Sequence, residues 1–282
     1  MSKIHIAKYE PNRVGGGWSF ARQFADQIKE YLSDYESADW YFITSPSMVS
    51  RDEVKQAQSD GKKILLRLDN IVRNSRNRNT GMSRMYDFAH MADVVIYQSD
   101  FARQLLMPFL KVDGSVILNG CDQSIFNTFG RTESVNARYL YSRFNRDETK
   151  NWEMARTIFQ DESVNNEYAL LTIVGQFSDE MREYNFDFFN DESYKYLGVI
   201  SDPVAMANIY RMNDYLIYTY FNDACSNTLI EALSCGCEIL DPYDMLLTGG
   251  APEIMTAFEH FGDEYFDIKR VAFQYLEAMH VK

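Results

Sequence analysis

Two carboxylates eight residues apart mark the segment Asp223-Ala-Cys-Ser-Asn-Thr-Leu-Ile-Glu231, after which the chain reads Ala-Leu-Ser-Cys-Gly236. The pattern predicts a loop that carries Asp223 and a short helix that carries Glu231 and ends at Gly236. Backbone N–H groups and a helix N-terminus suit a diphosphate, and the two carboxylates suit sugar and ribose hydroxyls. The segment therefore indicates a nucleotide-sugar site. A capping box formed by Thr228 and Glu231, which serves helix stability alone, is the alternative interpretation.

Length and composition restrict the class of protein. The chain has 282 residues, of which 46% are apolar, so it can fold as one large domain or two of ordinary size. No stretch reaches the roughly 18 apolar residues of a membrane span, and the first residues lack the apolar core of a secretory signal. The four cysteines lack the spacing of a zinc site or a disulfide framework. We therefore expect a cytoplasmic protein, in the host cytoplasm if the chain is viral, with reduced thiols.

The charge is distributed unevenly along the chain. The net charge of −13 argues against wholesale binding of nucleic acid. Residues 1–130 carry 16 Lys and Arg against 15 Asp and Glu, whereas residues 131–282 carry 12 against 26. The acidic excess therefore belongs to the second half of the chain.

Strand and helix patterns alternate along both halves of the chain. The predicted strands are Lys3–Lys8, Trp40–Thr44, Lys63–Leu68, Val94–Ser99, Val116–Leu118, Arg138–Ser142, Ala169–Val174, Tyr194–Leu197, Tyr215–Thr219 and Glu238–Leu240. Asp202 and Pro203 form an N-cap and N1 pair for a helix that runs to about Met212. Alternation of this kind predicts an α/β protein with doubly wound parallel sheets.

A polar, aperiodic stretch near residues 127–135 predicts a boundary between two domains. We predict an N-terminal Rossmann-like domain over residues 1–128 and a C-terminal Rossmann-like domain over residues 129–262. Residues 263–282 have the periodicity of one helix, which we expect to pack back on the N-terminal domain. Two such domains would place the carboxyl ends of both sheets at a shared cleft, where open α/β sheets bind ligands.

Six segments, taken in order, resemble motifs of the family-four retaining glycosyltransferases of GT-B fold. They are Gly15–Gly17 before a helix, Ala92–Phe101, Val116–Phe126, Tyr141–Arg143 with Lys150–Asn151, Asp223–Glu231, and Thr248–Glu253. The resemblance implies two Rossmann-like domains that face a central cleft and bind a nucleotide-diphosphate sugar. It also implies transfer with retention of configuration, without a metal ion, a cofactor or a nucleophilic side chain.

The resemblance also assigns roles on the donor side. Arg143 and Lys150 would hold the pyrophosphate and stabilise the charge on the leaving group. Glu231 would bind the ribose hydroxyls and Asp223 the hydroxyls of the transferred sugar. The remaining donor-binding residues are Gly16 and Gly17, which let the backbone approach the phosphates, and Ala224, Cys225, Ser226, Asn227 and Thr228, which offer backbone N–H groups.

This chain departs from the family pattern in three ways. Asp223 stands where the family more often has Glu, which is one methylene longer. Asp69 stands near the place of a family His, and it would position or deprotonate the acceptor hydroxyl; a turn or an ion pair with Arg67 is the alternative. The N-terminal domain is also short for the family.

Arginines concentrate between residues 67 and 84. The five arginines there are Arg67, Arg73, Arg76, Arg78 and Arg84, without a lysine or glutamate among them. Their planar forks bind phosphate or carboxylate in a bidentate way. We therefore predict an anionic acceptor bound by Arg67, Asn70, Arg73, Arg76 and Arg78. A solvated loop that pairs with the acidic second domain is the alternative.

These observations together predict a retaining, metal-independent glycosyltransferase. Its donor would be a nucleotide sugar, and its acceptor either a phage-type hydroxymethylated DNA base or an acidic or phosphorylated glycan. The alternative from another class is a catalytically inactive GT-B module that binds a nucleotide sugar.

Overall fold

The structure is a computed structural model that describes residues 2–10, 16–68, 81–144, 150–164, 166–176 and 191–281, with only the backbone for residues 143 and 144. The strands are β1 (Ile4–Ile6), β2 (Trp40–Ile43), β3 (Lys63–Leu68), β4 (Val94–Tyr97), β5 (Ser115–Val116), β6 (Arg138–Phe144), β7 (Leu170–Gly175), β8 (Tyr194–Gly198), β9 (Tyr215–Ile217) and β10 (Glu238–Leu240). The α-helices of the described residues are α1 (Gly16–Gln27), α2 (Arg51–Ser59), α3 (Gly81–Met91), α4 (Asp100–Leu110), α5 (Trp152–Val164), α6 (Pro203–Arg211), α7 (Asn227–Ser234), α8 (Ala251–Phe261) and α9 (Ile268–Ala278).

The chain divides into two compact units. Unit 1 comprises Met1–Asp122, Asp223–Asn227 and Gly249–Lys282, and unit 2 comprises Gln123–Asn222 and Thr228–Thr248. The chain therefore enters unit 1 again for five residues, from the loop after β9 to the first residue of α7. The domain limits that the sequence suggested stay predictions.

Unit 1 contains a parallel sheet in the order β1-β2-β3-β4-β5. Alternate strand residues face two apolar cores. One core packs α1 and α9 on the sheet, around Phe24 and Tyr275, and the other packs α2, α3 and α4, around Val54, Phe88 and Leu106. The connections β1-α1-β2 and β2-α2-β3 step in the same direction with their helices on opposite faces. They therefore have opposite handedness, so one of them departs from the usual right-handed crossover.

The C-terminal segment of unit 1 differs from the single helix that its periodicity suggested. A 3₁₀ turn covers Asp263–Phe266, and α9 starts after Asp267, whose carboxylate accepts a hydrogen bond from the Lys269 N–H at 2.9 Å. The backbone between the two elements pairs with Cys121, since the N–H of Cys121 donates to Phe266 O at 2.9 Å and Ile268 N–H donates to Cys121 O at 3.0 Å. This pairing and the Asp267 cap interrupt the helix.

Unit 2 contains a parallel sheet in the order β10-β9-β6-β7-β8. The chain starts at the central strand β6, runs outward to β8, and returns through α6 to β9 on the other side. Asp202 caps α6 by accepting from the N–H groups of Val204 and Ala205, as the sequence predicted. The order reverses between β6 and β9, which makes this sheet doubly wound with its switch point at those two strands.

Candidate functional site

The switch point of unit 2 is the place where an open α/β sheet binds its ligand, beyond the carboxyl ends of the strands. Arg143 is the sixth residue of β6, and Lys150 lies between β6 and α5. Thr219 and Tyr220 follow the end of β9, and Thr228 and Glu231 lie on α7. The topology of unit 2 thus gathers four of the predicted donor-side residues around two neighbouring strand ends.

Lys150 is buried, with 6% of its surface exposed. Its carbonyl accepts hydrogen bonds from the Tyr141 hydroxyl at 2.9 Å and from Thr219 Oγ1 at 2.7 Å. Its Nζ lies 4.9 Å from the centre of the Tyr220 ring, within the range of a cation–π contact. Backbone and ammonium are therefore both held, so the charge is fixed at this sheet edge.

Tyr220 contacts both segments that carry the predicted cations, the end of β6 and the residue Lys150 before α5. Its ring faces Lys150, and its hydroxyl donates to the carbonyl of Ser142, the residue before Arg143. Tyr220 is 1% exposed and packs against Tyr218, with ring centres 4.9 Å apart. The side chain of Arg143 lies outside the described residues, but the backbone that carries it is anchored through Ser142.

Helix α7 begins at Asn227, so Thr228 lies inside its first turn. A capping box requires Thr228 to precede the helix, and that alternative interpretation of the segment therefore does not fit. Leu229 and Ile230 of α7 are fully buried. The helix ends at Ser234, and Gly236 follows it in a turn with a φ of 82° that is readily adopted only by glycine.

Glu231 is half-buried on α7. The hydroxyl of Tyr210, on α6, donates to Glu231 Oε2 at 3.3 Å. Tyr210 is itself 1% exposed and packs against Phe126. A rigid tyrosine thus orients one oxygen of the carboxylate.

The loop Asp223–Asn227 belongs to unit 1, and all of it except Asp223 is buried. The N–H of Gly250, just before α8, donates to Asp223 O at 2.8 Å. A Cβ atom at Gly250 would lie 2.0 Å from Ala224 O, so only glycine permits this approach. Burial raises the pKa of the Cys225 thiol to about 12, which makes it a poor nucleophile at neutral pH.

Asn119 holds this loop from the end of β5. Its Nδ2 donates to Cys225 O at 3.0 Å and to Asn227 Oδ1 at 2.8 Å, and its backbone N–H donates to Cys225 Sγ at 3.3 Å. Its Oδ1 accepts from Arg67 Nη2 at 2.9 Å. Asn119 therefore fastens the loop Asp223–Asn227, here called the donor loop, to the sheet of unit 1.

Arg67 is 1% exposed at the end of β3. Its Nη1 donates to Thr44 O at 2.9 Å, and its guanidinium carbon lies 3.9 Å from the centre of the Phe20 ring. The acceptor role of Arg67 stays a prediction, and its burial favours a structural role.

Glu253, the last residue of the motif Thr248–Glu253, caps α4. Its carboxylate accepts from the N–H groups of Asp100 at 2.8 Å and Phe101 at 2.7 Å. A carboxylate at a helix N-terminus interacts favourably with the positive end of the helix dipole and accepts hydrogen bonds from the first N–H groups of the helix. This motif residue therefore joins α8 to α4 within unit 1.

Other predicted site residues lie elsewhere. Gly16 and Gly17 are the first two residues of α1. Asp69, Asn70, Arg73, Arg76 and Arg78 lie outside the described residues, so their predicted roles stay predictions.

Among the described residues, none of the helices has the length and apolar character that a membrane span requires. No group of three or more His, Cys, Asp or Glu side chains in those same residues could hold a metal ion.

Two parallel five-stranded sheets covered by helices are the α/β arrangement of GT-B glycosyltransferases. No family model and no curated protein matches the sequence. Solved structures match it closely in fold. Anabaena HepE, crystallised with UDP and glucose, superimposes with a TM-score of 0.68 at 13% identity, over 100% of this chain and 97% of that one.

Two further structures show the same likeness. Sucrose-phosphate synthase from Thermosynechococcus elongatus gives a TM-score of 0.58 at 14% identity, over 96% of this chain and 77% of that one. A trehalose 6-phosphate synthase from Burkholderia multivorans gives a TM-score of 0.53 at 11% identity, over 85% of this chain and 66% of that one. The GT-B fold that the sequence motifs predicted is therefore confirmed.

Sequence reasoning missed three residues that hold the site: Asn119, Tyr210 and Tyr220. Asn119 lies inside one of the quoted motifs, which was a signal for its importance but not for its partners. The two tyrosines had no signal in the sequence, because their contacts join segments distant along the chain.

Proposed function

We propose that this protein is a glycosyltransferase that moves a sugar from a nucleotide-diphosphate sugar to an acceptor hydroxyl. The observation that carries the proposal is the switch point of unit 2, where a fixed Lys150 cation and the carboxylate of Glu231 lie on elements at the ends of β6 and β9. The complexes of HepE with UDP and with UDP-glucose support a nucleotide sugar as the donor. Glu231 binds the ribose hydroxyls in this proposal.

The reaction we propose retains the configuration of the sugar. The bond between the anomeric carbon and the β-phosphate oxygen breaks, and the acceptor oxygen bonds to that carbon on the same face. The acceptor proton passes to the departing phosphate oxygen, so no nucleophilic side chain, metal ion or cofactor is required. Lys150 and Arg143 stabilise the negative charge that develops on the diphosphate, which lowers the barrier more than it strengthens donor binding. A cytoplasmic location belongs to the same proposal.

We propose an anionic acceptor because four arginines, Arg73, Arg76, Arg78 and Arg84, follow one another within twelve residues of the sequence. A hydroxymethylated DNA base and an acidic or phosphorylated glycan both meet that description. Duplex DNA that contains hydroxymethylcytosine and a phosphorylated oligosaccharide should be offered separately, with the products analysed by mass spectrometry. A hexose-sized or pentose-sized mass gain identifies the acceptor. Equal transfer to an uncharged sugar would contradict an anionic preference.

The function is tested by release of nucleoside diphosphate from a pool of nucleotide sugars, with and without an acceptor mixture. Lys150→Met should lower turnover by about 10²-fold or more and weaken nucleotide binding far less, because the cation acts mainly in the transition state. Lys195→Met is the matched control, since Lys195 is exposed on β8, and it should keep full turnover.

Two results would contradict parts of this proposal. Full turnover in Lys150→Met would remove Lys150 from the mechanism. Tight binding of a nucleotide sugar without hydrolysis or transfer, in the presence of both acceptor classes, would instead identify a binding module that lacks catalysis.

A further inference from the structure

We propose that Asn119 is a positioning residue that holds the loop Asp223–Asn227 in the shape that receives the donor, and that Arg67 holds Asn119. The inference rests on the proposed function and on the donor-binding role that the sequence predicts for this loop. It assigns Arg67 to the support of the donor loop instead of to the acceptor. All of the contacts that carry it lie within unit 1.

The amide of Asn119 is suited to this position because it both accepts and donates. Its oxygen accepts from Arg67 Nη2 at 2.9 Å, and its two N–H groups reach Cys225 O at 3.0 Å and Asn227 Oδ1 at 2.8 Å. Asn119 is 3% exposed, so water does not replace a lost partner. An aspartate at this position keeps the oxygen that accepts a hydrogen bond and loses the two N–H groups. A leucine of similar size loses both.

Arg67 is held from several sides, which makes it a rigid support for Asn119. Thr44 O accepts from Nη1 at 2.9 Å, and the Phe20 ring of α1 lies against the guanidinium. When the Gln98 amide is oriented with its oxygen toward Arg67, that oxygen accepts from Nη2 at 2.9 Å and from Nη1 at 3.2 Å. The planar guanidinium thus connects the ends of β2, β4 and β5 to the loop through Asn119.

A loop fixed in this way presents its N–H groups to the donor without reorganisation when the substrate binds. Preorganised N–H groups stabilise a transition state most where negative charge develops. The contacts of Asn119 with the loop, here called the tether, should therefore influence turnover as well as binding of the nucleotide sugar. Loss of the tether would leave the loop present but mobile, and that is the state the experiment detects.

The experiment measures how fast a thiol reagent labels Cys225 in the absence of any nucleotide, with peptide mapping to separate the four cysteines. In the wild-type protein Cys225 is 4% exposed, and burial raises its pKa to about 12, so labelling requires opening of the loop. Asn119→Asp and Asn119→Leu should each raise the labelling rate of Cys225 by about tenfold or more, with the larger effect for leucine. Labelling of Cys235 in unit 2 should not change.

Asn213→Asp is the matched control, because Asn213 is also 3% exposed and donates its amide to Ile209 O at 2.7 Å, but within unit 2. It should leave Cys225 labelling at the wild-type rate. Equal labelling of Cys225 in Asn119→Asp, Asn119→Leu and this control would overturn the proposal. If Asn119→Leu fails to fold, Asn119→Asp still decides, because it keeps the bond to Arg67.

A second measurement separates this inference from the proposed function. Asn119→Asp should lower the kcat and raise the KM for the nucleotide sugar. Faster labelling in a protein that binds no nucleotide would support the tether and refute the function. Unchanged labelling with unchanged kcat and KM would refute the tether and leave the function standing.

Discussion

The side chain of Tyr220 contacts both elements that carry the proposed leaving-group cations. Its ring lies against the ammonium of Lys150, and its hydroxyl donates to the carbonyl of Ser142 beside Arg143. The contact with Lys150 depends on the aromatic face, whereas the contact with Ser142 depends on the hydroxyl. The two functions of one residue can therefore be separated by substitution.

Tyr220→Phe keeps the ring and removes the hydroxyl, and Tyr220→Leu removes both. We expect Tyr220→Phe to lower kcat by several-fold and Tyr220→Leu to lower it by tenfold or more, because the cation–π contact of a buried ammonium contributes about 1–2 kcal/mol. Steady-state kinetics with the donor, together with thermal denaturation of both variants, check this. Equal kcat values for the two variants would show that the ring does not position Lys150.

Motif residues could be predicted at the scale of single residues, but their supports could not. The spacing of Asp223 and Glu231 signalled a site because it reflects local geometry along the chain. The hydroxyl of Tyr210 reaches Glu231 across 21 positions of sequence, and Asn119 reaches Asn227 across 108. Such contacts exist only once the sheets have formed, so a pattern along the chain does not contain them.

At the scale of elements, a charged cluster fastens the amino ends of β6 and β9 opposite the site edge. The Asp214 carboxylate accepts from the Arg138 backbone N–H at 3.0 Å, Nε at 3.1 Å and Nη2 at 2.9 Å, and Arg131 Nη2 lies 3.8 Å away. Partial burial acts to raise the pKa of Asp214, but the hydrogen bonds from Arg138 outweigh it and hold the pKa below its ordinary value of 3.8. The ionised carboxylate therefore stabilises unit 2.

The lowered pKa of Asp214 predicts how stability depends on pH. A depressed pKa contributes stability above the unfolded value, near pH 4, and that stability is lost as the pH falls through the folded pKa. Asp214→Asn should lower the free energy of unfolding by about 1–3 kcal/mol at pH 7, and by less as the pH falls below about 4. Denaturation at a series of pH values measures this, with Glu238→Gln as the control, because Glu238 is the exposed first residue of β10. A difference that stayed constant down to pH 3 would contradict the account.

The approach of α8 to the donor loop gives a second prediction for an element. Gly250→Ala would place a methyl group 2.0 Å from Ala224 O, so the loop or the helix must move, and we expect a loss of about 1–3 kcal/mol of stability together with most of the turnover. Gly61→Ala is the control, because its Cβ meets open space and only its φ of 76° is strained. That control should cost about 1 kcal/mol and keep full turnover. Equal turnover in the two variants would show that the position of the loop does not matter.

For the whole molecule, the class of fold could be predicted from the sequence, and the order of the strands could not. Alternating apolar strands and amphipathic helices predicted parallel sheets, and the order of motifs predicted GT-B. The periodicity of the last segment overestimated its helix, because the break at Asp267 depends on pairing with Cys121. The return of Asp223–Asn227 to unit 1 also had no signal, since it depends on the distant partners Asn119 and Gly250.

We propose that a nucleoside diphosphate binds at the switch point between β6 and β9. Hydrogen–deuterium exchange of the backbone amides, measured without nucleotide and with saturating UDP, ADP, GDP or TDP, tests this binding. We predict that at least one of them slows exchange at the start of α7 and at the start of α5, and leaves the strand starts of β7 and β8 unchanged. Protection confined to other segments, or none with any of these nucleotides, would contradict the proposal.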